Sequence, residues 1–341
     1  MKVLVTGGAG FIGSAFVRYV LAHRPELQVV TFDALTYAGN LENLAPVQEN
    51  PRHTFVQGDI RNENAVSEVF AGGPFDAVVH FAAESHVDRS ILSPDSAIDT
   101  NVRGTARLLD AARAGSVQRF VHVSTDEVYG DIDEPLEADE TFPLKPSSPY
   151  AASKAASDLL ALAYLRTYHL PVIVTRASNN YGPYQFPEKL IPLMISNALE
   201  GAPLPVYGDG LQVRDWLYVD DHCRAILAVL ERGRVGEVYN IAGACHLPNI
   251  EVVQKLLKIV GASETLITRV TDRPGHDRRY ALRGDKIARE TGFAPEVAFE
   301  DGLARTVKWY QENAEWTSRV RSGVYRDYYA QNYAWRAASE G

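Results

Sequence analysis

The sequence has few cysteines and no long apolar run. Its 341 residues include only Cys223 and Cys245, whose separation fits neither a metal site nor a disulfide framework. No apolar segment approaches the roughly 20 residues that a membrane-spanning helix needs, and residues 1–6 lead directly into a glycine motif rather than into a targeting signal. We therefore predict a protein of the reducing cytoplasm, with no metal site and no membrane partner.

The chain also has no excess of basic residues. Its 34 lysines and arginines are outnumbered by 43 aspartates and glutamates, which gives a formal charge of −9. A nucleic-acid partner is therefore not expected. A bound anionic sugar nucleotide would need local cations, for which Lys189, Arg214 and Arg273 are candidates. With 46% apolar and 23% charged residues, the composition is that of a globular protein of one large or two modest domains.

The first part of the sequence carries a glycine motif between a strand and a helix. Residues 2–6 show a buried-strand pattern, residues 7–13 a Gly-x-x-Gly-x-x-Gly loop, and residues 14–23 a helical pattern. Such a loop can turn tightly and approach a pyrophosphate at the amino end of the helix. A second strand pattern, residues 28–32, ends in Asp33, 20 residues after the last glycine, where an acid can bind a ribose diol. Because no basic residue follows Asp33, the motif predicts NAD rather than NADP; a glycine-rich structural turn is the alternative.

Strand and helix patterns alternate through the first half of the chain. Further strand patterns lie at residues 54–57, 75–81, 119–124 and 171–175, and long helical patterns at residues 95–114 and 150–168. This alternation predicts an α/β fold, a Rossmann-type doubly wound parallel sheet. After residue 183 proline and glycine become frequent, which predicts a smaller C-terminal substrate-binding lobe. We predict two domains, residues 1–183 and residues 184–341, with some later segments returning to the first.

The second part of the sequence has shorter and less regular patterns. Helical patterns lie near residues 220–231, 250–260, 285–291 and 301–313. The tail from residue 314 onward is rich in aromatic residues and arginine, so we expect it to pack on the body of the protein.

Two pairs of side chains are candidates for chemistry. Asp126 and Glu127 follow the strand pattern of residues 119–124, at the sheet edge where ligands bind in open α/β sheets. Tyr150 and Lys154 are four residues apart and therefore share a helical face. A tyrosine base near pH 7 needs its pKa lowered by about three units, which the ammonium and a cationic nicotinamide could supply. Taken alone, the acids are typical of a solvated turn and the second pair of an amphipathic helix.

Taken together, these features resemble a known superfamily. The glycine loop, Asp33, the Tyr150 and Lys154 pair and the hydroxyl residues 124–125 are similar to those of the extended short-chain dehydrogenase/reductases. Within that superfamily, longer blocks resemble the dTDP-glucose 4,6-dehydratases. The blocks are residues 33–40, 82–90, 124–130, 178–190, 214–219 and 272–280. They occur in order, and the resemblance covers residue 1 to about residue 313.

The resemblance implies a reaction in three stages. Tyr150, aided by Lys154 and Thr125, would take the proton of the sugar C4 hydroxyl as hydride passes to NAD. Glu127 would then remove the acidified C5 proton, while Asp126 protonates the departing C6 hydroxyl. Hydride finally returns to C6, so the cofactor ends as it began. Two adjacent acids suit this elimination, because one acts as a base and the other as an acid.

The resemblance also implies two sets of binding residues. The NAD site would contain Gly7, Gly10, Phe11, Ile12, Gly13, Asp33, Ala34, Leu35, Thr36, Asp59, Ile60, Phe81, Ala82, Ala83, Ser85, Thr100, Tyr150, Lys154 and Asn180. The sugar-nucleotide site would contain Ser85, Thr125, Asn179, Lys189, Leu190, Pro205, Tyr207, Arg214, Asn249, Arg273 and His276. Without the resemblance, the apolar members of the second set would be assigned to the core and its cations to the surface. Ala34, residues 244–246 and residues 283–284 depart from the family pattern, away from the proposed chemistry.

The resemblance further implies a homodimer and leaves two alternatives open. In the superfamily, helices equivalent to residues 95–114 and 150–168 commonly form a four-helix interface across a two-fold axis. A nucleotide-sugar 4-epimerase shares the fold, NAD and the Tyr150 and Lys154 pair, but does not need Asp126 and Glu127. A binding module that senses NAD without turnover is the alternative from another class, and it does not need these four side chains together.

Overall fold

The structure is a computed structural model that describes residues 1–322. Its strands are β1 Lys2–Thr6, β2 Gln28–Asp33, β3 His53–Gln57, β4 Ala77–His80, β5 Arg119–Thr125, β6 Val172–Ala177, β7 Asn179–Tyr181, β8 Leu204–Tyr207, β9 Val213–Tyr218, β10 Val238–Ile241, β11 His246–Pro248 and β12 Ile267–Val270. Its α-helices are α1 Phe11–His23, α2 Glu63–Ala71, α3 Val87–Leu92, α4 Pro94–Ala97, α5 Thr105–Ala114, α6 Pro149–Tyr168, α7 Leu190–Glu200, α8 Val219–Arg232, α9 Asn249–Val260, α10 Asp285–Thr291, α11 Phe299–Glu312 and α12 Ala314–Val320. Residues 41–47, 126–129 and 264–266 form 3-10 helices, and residues 98–104 form a π-helix.

A seven-stranded parallel sheet lies between two layers of helices. Its strand order is β10-β6-β5-β4-β1-β2-β3, and every neighbouring pair is parallel. Helices α1 and α8 bury one face of the sheet, and α2, α5 and α6 bury the other. Because both faces are covered, the inner strands are almost continuous runs of apolar residues. The predicted doubly wound Rossmann-type fold is confirmed, and the strand order reverses between β1 and β4.

Two predicted elements differ from their observed form. The strand pattern of residues 75–81 shortens to Ala77–His80, and the following residues leave the sheet. The single helix predicted for residues 95–114 is instead α4, a π-helix and α5. The wider turn carries the buried Asn101, whose side chain bonds both the N–H and the C=O of Glu84, at 2.8 and 2.9 Å. These buried contacts hold the turn against the segment that follows β4.

The second part of the chain divides between two places. β7, β9 and β11 form a three-stranded sheet, β8 pairs with β12, and α7, α9 and α11 pack around a separate apolar core. In contrast, β10 joins the large sheet beside β6, and α8 and α10 pack beside it. The predicted division at residue 183 stays a prediction.

The start of the aromatic tail lies within the described residues. Helix α12 buries Trp316, whose indole Nε1 donates to Asn43 Oδ1 at 3.1 Å. Residues 323–341, on which the rest of that expectation falls, lie outside the described residues. Within residues 1–322, no helix is both long and apolar enough to cross a membrane.

Candidate active site

A deep cleft opens at the carboxyl ends of the parallel strands, beside the β1/β4 reversal. It encloses about 1600 Å³, including space open to solvent. Every residue expected to bind NAD lines this cleft except Leu35. The cleft therefore brings together side chains from residues 7 to 180 at the place where open α/β sheets bind ligands.

The glycine loop shapes the floor of the cleft. Gly7 has φ +70° and its N–H donates to Phe32 O at 2.9 Å, so the chain turns back directly after β1. A Cβ on Gly13 would lie only 2.2 Å from the carbonyl oxygen of Gly7. Gly10 caps α1 without a side-chain hydrogen bond, so the first-turn N–H groups of α1 keep their capacity to bind an anion. The loop thus fits the pyrophosphate of NAD.

Asp33 lies at the end of β2, directly beside the glycine loop. Its two carboxylate oxygens accept from the N–H groups of Ala9 and Leu35, at 2.9 and 2.8 Å. Burial raises the pKa of Asp33, and these two bonds act in the opposite direction. Each oxygen retains a lone pair that fits a ribose hydroxyl. Leu35 itself has φ +53° and packs its side chain against the core, so its backbone orients Asp33 while its side chain lies outside the cleft.

The first turns of α6 carry Tyr150 and Lys154. Ser148 caps the helix by accepting from Ala151 N at 3.1 Å, and the proline that follows it suits the first helical position. The Lys154 ammonium donates to Val123 O at 2.9 Å, and burial lowers the pKa of Lys154 to about 8. Both side chains are almost fully buried and line the cleft.

The pKa of Tyr150 shifts in the direction opposite to the expected one. Burial raises it, and the charges of Glu127 and Asp126 raise it further, while a hydrogen bond with Thr125 acts to lower it. The protein groups alone therefore keep the phenol protonated. A tyrosine base at this position depends on additional positive charge in the cleft.

Asp126 and Glu127 lie in a 3-10 turn rather than in an irregular loop. The Thr125 hydroxyl accepts from Glu127 N at 3.3 Å and donates to Asp126 Oδ1 at 3.1 Å. Asp126 is only 2% exposed, and its Oδ2 has no hydrogen-bond partner within residues 1–322. Burial raises the pKa of Asp126 well above its ordinary value, and Glu127 and Asp215 raise it further. Glu127, by contrast, is only partly buried. The two acids therefore differ strongly in environment.

The residues expected to bind the sugar nucleotide occupy two adjoining places. Ser85, Thr125, Asn179 and Lys189 line the cleft, and the Lys189 ammonium donates to Ser85 O at 2.6 Å. The other predicted substrate residues, which do not line it, are Leu190 at the start of α7, Pro205 and Tyr207 in β8, Arg214 in β9, Asn249 at the start of α9, and Arg273 and His276 after β12.

We call Tyr207, Arg214, Arg273 and His276 the basic cluster. The Tyr207 hydroxyl donates to Asp88 Oδ2 at 2.8 Å, and Arg273 Nη1 lies 3.9 Å from Asp88 Oδ1. The rings of Tyr207 and His276 are 6.2 Å apart. Glu127 acts to raise the pKa of both arginines, which indicates that the cluster lies on the Glu127 side of the cleft.

Buried polar atoms beside the cluster lack partners within the described chain. Arg273 Nε, Asn179 Oδ1 and Asn249 Oδ1 are buried without a hydrogen bond to any residue in 1–322. Such groups are costly unless a ligand satisfies them. This chemistry fits a polar, anionic ligand.

Several cleft residues were missed by sequence reasoning. They include Arg61, Gln185, Phe186, Glu188 and His222. His222 Nδ1 lies 2.9 Å from Asn180 Oδ1, although His222 belongs to a helix of the second part of the chain. Asp88, which bonds the basic cluster, was also missed as a site residue. No local pattern marks these residues, although Asp88, Gln185, Phe186 and Glu188 fall within family-like blocks.

Comparison with known proteins agrees with this geometry. Residues 4–306 match the family profile described as GDP-mannose 4,6 dehydratase. The chain is 52% identical to a dTDP-glucose 4,6-dehydratase of Shigella flexneri, covering 98% of this chain and all of that protein. It is 54% identical to one of Streptomyces niveus, with coverages of 94% and 96%. The chain belongs to the dTDP-glucose 4,6-dehydratase family. The expected family resemblance is therefore confirmed.

Solved structures separate this family from its nearest rival. A dTDP-glucose 4,6-dehydratase of Streptomyces venezuelae, solved with NAD bound, is 56% identical with a TM-score of 0.91, covering 94% of this chain and 100% of that chain. A UDP-glucose 4-epimerase of Thermus thermophilus, in complex with NAD, is 32% identical with a TM-score of 0.86, covering 92% and 100%. The fold is thus common to both enzymes, while the sequence is much closer to the dehydratase family.

Proposed function

We propose that this protein is a dTDP-glucose 4,6-dehydratase that converts dTDP-glucose to dTDP-4-keto-6-deoxyglucose and water. The observation that carries the proposal is the pair Asp126 and Glu127 beside Tyr150. One acid is buried and the other is partly exposed, which suits an acid and a base acting in one elimination. A 4-epimerase has no use for that division. The close dehydratase relatives support the same conclusion.

The cofactor is NAD, in agreement with the neighbouring structures. When bound, NAD supplies a hydride acceptor for C4 oxidation and the hydride donor for C6. The amino end of α1 would hold its pyrophosphate and Asp33 the adenosine ribose. The remaining cleft-lining members of the predicted set would surround it, with Phe11, Ile12, Asp59, Ile60, Phe81, Ala82, Ala83, Ser85, Thr100 and Asn180 among them.

Tyr150 would remove the C4 hydroxyl proton. Its pKa is held high by burial and by Glu127 and Asp126, so the phenol ionises only against compensating positive charge. The Lys154 ammonium and a cationic nicotinamide would supply that charge. Oxidation is thereby linked to the presence of the oxidised cofactor. Thr125, which hydrogen-bonds to Tyr150, would orient the phenol and the sugar hydroxyl.

Asp126 and Glu127 would carry out the loss of water. Because burial and neighbouring carboxylates raise its pKa, Asp126 holds a proton that it can donate to the departing C6 hydroxyl. Glu127 would accept the C5 proton, which the C4 ketone makes acidic. A proton therefore leaves C5 and another joins the C6 oxygen, and the products are an alkene bond and water. Hydride addition at C6 with proton return to C5 completes the reaction.

The basic cluster would bind the nucleotide diphosphate. Two arginines, a phenol and an imidazole suit the phosphate oxygens. The partly or fully buried amides Asn179 and Asn249 would pair with polar groups of the ligand. Lys189, Leu190 and Pro205 complete the predicted set.

The decisive experiment separates oxidation from elimination. We expect Tyr150→Phe to block every step, whereas Glu127→Gln should reduce NAD and stall as ketosugar with NADH, with turnover lowered roughly 10²- to 10⁴-fold. Absorbance in the NADH region should rise after dTDP-glucose is added to the Gln variant and stay raised. The same assay is repeated in parallel with UDP- and GDP-hexoses, which tests the preference for the dTDP-sugar.

Isotope labels test the same division in the wild-type protein. The product should carry deuterium at C5 when made in deuterated water, and a label starting at C4 should finish at C6 of the same molecule. A label that returns to C4 would identify a 4-epimerase. No turnover of any sugar nucleotide would favour an NAD-dependent binding module.

We also propose a cytoplasmic homodimer that retains NAD through purification. Leu92 on α3 and Leu159 and Tyr168 on α6 are 51%, 58% and 48% exposed, which supports an interface on this side of the sheet. We keep residues 1–183 as the NAD-binding part and residues 184–341 as mainly the substrate-binding part. A monomeric mass by light scattering at micromolar concentration, or denatured protein that releases no NAD(H), would contradict the dimer or the retained cofactor respectively.

A further inference from the structure

A buried carboxylate lies one helical turn beyond Lys154. Asp158 is on α6 at i+4 from Lys154, and it is 0% exposed. Its Oδ2 accepts from Arg176 Nε at 2.8 Å, and its Oδ1 lies 3.3 Å from His122 Nε2. Positions i and i+4 share one face of a helix, so Asp158 lies on the Lys154 side of α6. Neither the family-like blocks nor the proposed reaction uses this residue.

The groups around Asp158 hold it in place. Arg176 Nη1 also donates to the Tyr129 hydroxyl at 2.9 Å, and that hydroxyl donates to Asn240 Oδ1 at 2.8 Å. His122 Nε2 lies 3.1 Å from Ser157 Oγ. Since these side chains are buried, the carboxylate cannot turn toward solvent without breaking its hydrogen bond to Arg176 and disturbing this network.

We propose that Asp158 is a positioning residue of the dehydratase, the fixed counter-ion that keeps the Lys154 ammonium charged beneath Tyr150. The inference rests on the proposed function, because it assigns a reason for a buried anion one turn behind the catalytic pair. Within residues 1–322, the hydrogen bond of the Lys154 ammonium goes to a neutral carbonyl, Val123 O. Its charge therefore needs a nearby anion in the dry interior.

The charges facing Lys154 support this assignment. Burial lowers the pKa of Lys154 to about 8, and within residues 1–322 Asp158 is the charge that acts to raise it. Burial alone would raise the pKa of Asp158, but its close approach to His122 and the charges of Arg176 and Lys154 lower it. Asp158 is thus held in its anionic form.

Among the described residues, no other group packed against this part of α6 can replace the anion. His80 on β4 and His122 on β5 have pKa values lowered by burial and remain neutral. Arg176 on β6 is a cation. The remaining facing groups are Tyr150 on α6 itself and Asp126 and Glu127 on the 3-10 turn, whose charges act on Tyr150. Removal of the Asp158 charge would therefore remove the anion that acts on Lys154.

The proposed role of Asp158 determines how its removal should change the pH dependence of kcat. Lys154 works in its protonated form, and activity is lost as pH rises through its pKa. Asp158→Asn should lower that pKa by at least about one unit, so the alkaline limb of the kcat profile moves to lower pH. At pH 7.5, between the two pKa values, we expect about a threefold or greater loss of kcat, with recovery toward the wild-type value near pH 6. Bound NAD content should change little, because Asp158 does not line the cleft.

The test uses the NAD-containing protein and four variants. Asp158→Asn removes the charge, and Asp158→Glu keeps it one methylene away, which should hold the alkaline limb near that of the wild type. Tyr129→Phe is the matched control, because it breaks the same buried network without changing any charge. Lysine labelled with ¹³C at the ε position reports the titration directly, and Lys154→Met assigns the resonance. The Asn variant should shift that titration and the Phe control should not.

A measurement on the wild-type protein keeps the inference testable if the Asn variant does not fold. With ¹³C-labelled aspartate, the Asp158 Cγ resonance should show a step near pH 8 as Lys154 loses its proton. That step should vanish in Lys154→Met. Its absence from the wild type, or an unchanged Lys154 titration in folded Asp158→Asn, would show that Asp158 has only a structural role.

Failure of the inference about Asp158 can be distinguished from failure of the proposed function. Wild-type protein that does not dehydrate dTDP-glucose would overturn the proposed function, whereas the lysine and aspartate titrations would still test the electrostatic coupling between Lys154 and Asp158. Normal dehydration with an unshifted alkaline limb in the Asn variant would overturn the inference alone.

Discussion

The two ends of the site are built in different ways. The cofactor end is made largely from one stretch of chain, in which β1, the glycine loop, α1 and Asp33 follow each other. It offers a cofactor backbone N–H groups, the space left by missing side chains, and one acid. The basic cluster gathers side chains from β8, β9 and the segment after β12, and Asp88 bonds it from the region after β4. Local chain geometry determines the first end, whereas tertiary packing determines the second.

The difference teaches which changes each end tolerates. The glycine loop should lose its shape when a side chain is added, because backbone atoms occupy the space that a Cβ would need. The basic cluster should bind its ligand less tightly when a charge is removed. The ligand oxygens then lose a hydrogen-bond donor in a site that already holds buried unpaired polar atoms. Substitutions at the two ends should therefore separate NAD binding from sugar-nucleotide binding.

The largest effect is expected for Gly13→Ala. The added Cβ would lie 2.2 Å from Gly7 O, so the loop must move away from the pyrophosphate. We expect NAD binding to weaken at least about 100-fold, roughly 3 kcal/mol, as judged by calorimetry on stripped protein. Gly284→Ala is the control, since its Cβ would meet nothing closer than Ala242 at 3.4 Å. Equal NAD affinity in the two variants would remove the steric argument.

Arg273→Gln should affect the opposite end. Loss of one charge-assisted hydrogen bond to a diphosphate is worth about 1.5–3 kcal/mol, which corresponds to a KM for dTDP-glucose raised roughly 10- to 150-fold. NAD content should stay at the wild-type level. Arg278→Gln, which alters an exposed arginine paired with Asp209, serves as the control and should leave KM unchanged. A loss of NAD in Arg273→Gln would mean that the two ends are not separate.

Asp33→Ala should weaken the cofactor end by about 1–3 kcal/mol, through loss of a charge-assisted hydrogen bond to the ribose. The change also removes the acceptors for Ala9 N and Leu35 N. Asp33→Asn keeps one acceptor oxygen and should fall between the Ala variant and the wild type. Fluorescence titration with NAD measures both, and an unchanged affinity in Asp33→Ala would take the residue out of the site.

The last effect is on the stability of the protein rather than on ligand binding. It concerns Asp126, which lies between the two ends. Because its folded-state pKa is raised, its stabilising contribution is complete below the unfolded-state pKa and is lost as pH rises through the folded-state pKa. Asp126→Asn, which resembles the protonated acid, should match wild-type stability near pH 4. Above that, it should become more stable than the wild type, by up to about 1.4 kcal/mol for each unit by which the folded-state pKa exceeds the unfolded-state pKa, while losing dehydration. Urea unfolding at pH 4 and pH 8 measures this, and an Asn variant that is less stable at pH 8 would contradict the protonated assignment.

The sequence alone predicted the parts of this protein that depend on local order. The run of strand, glycine loop, helix and Asp33 predicted the doubly wound sheet and its NAD site, because each element is specified by residues close together in the chain. The i, i+4 spacing of Tyr150 and Lys154 likewise placed both side chains on one face of α6. These relations depend only on helix and strand geometry, so they can be predicted without the tertiary structure.

Tertiary structure alone decided the environment of those residues. It brought β10 back to the large sheet, formed the π-helix at Asn101, and set Asp88 against Tyr207. It also buried Asp126 and placed Asp158 between Arg176 and His122. Burial and neighbouring charge set the pKa of each group, and both depend on segments distant in the sequence. Residue identity therefore indicated which groups could act, whereas packing determined which of them hold a proton.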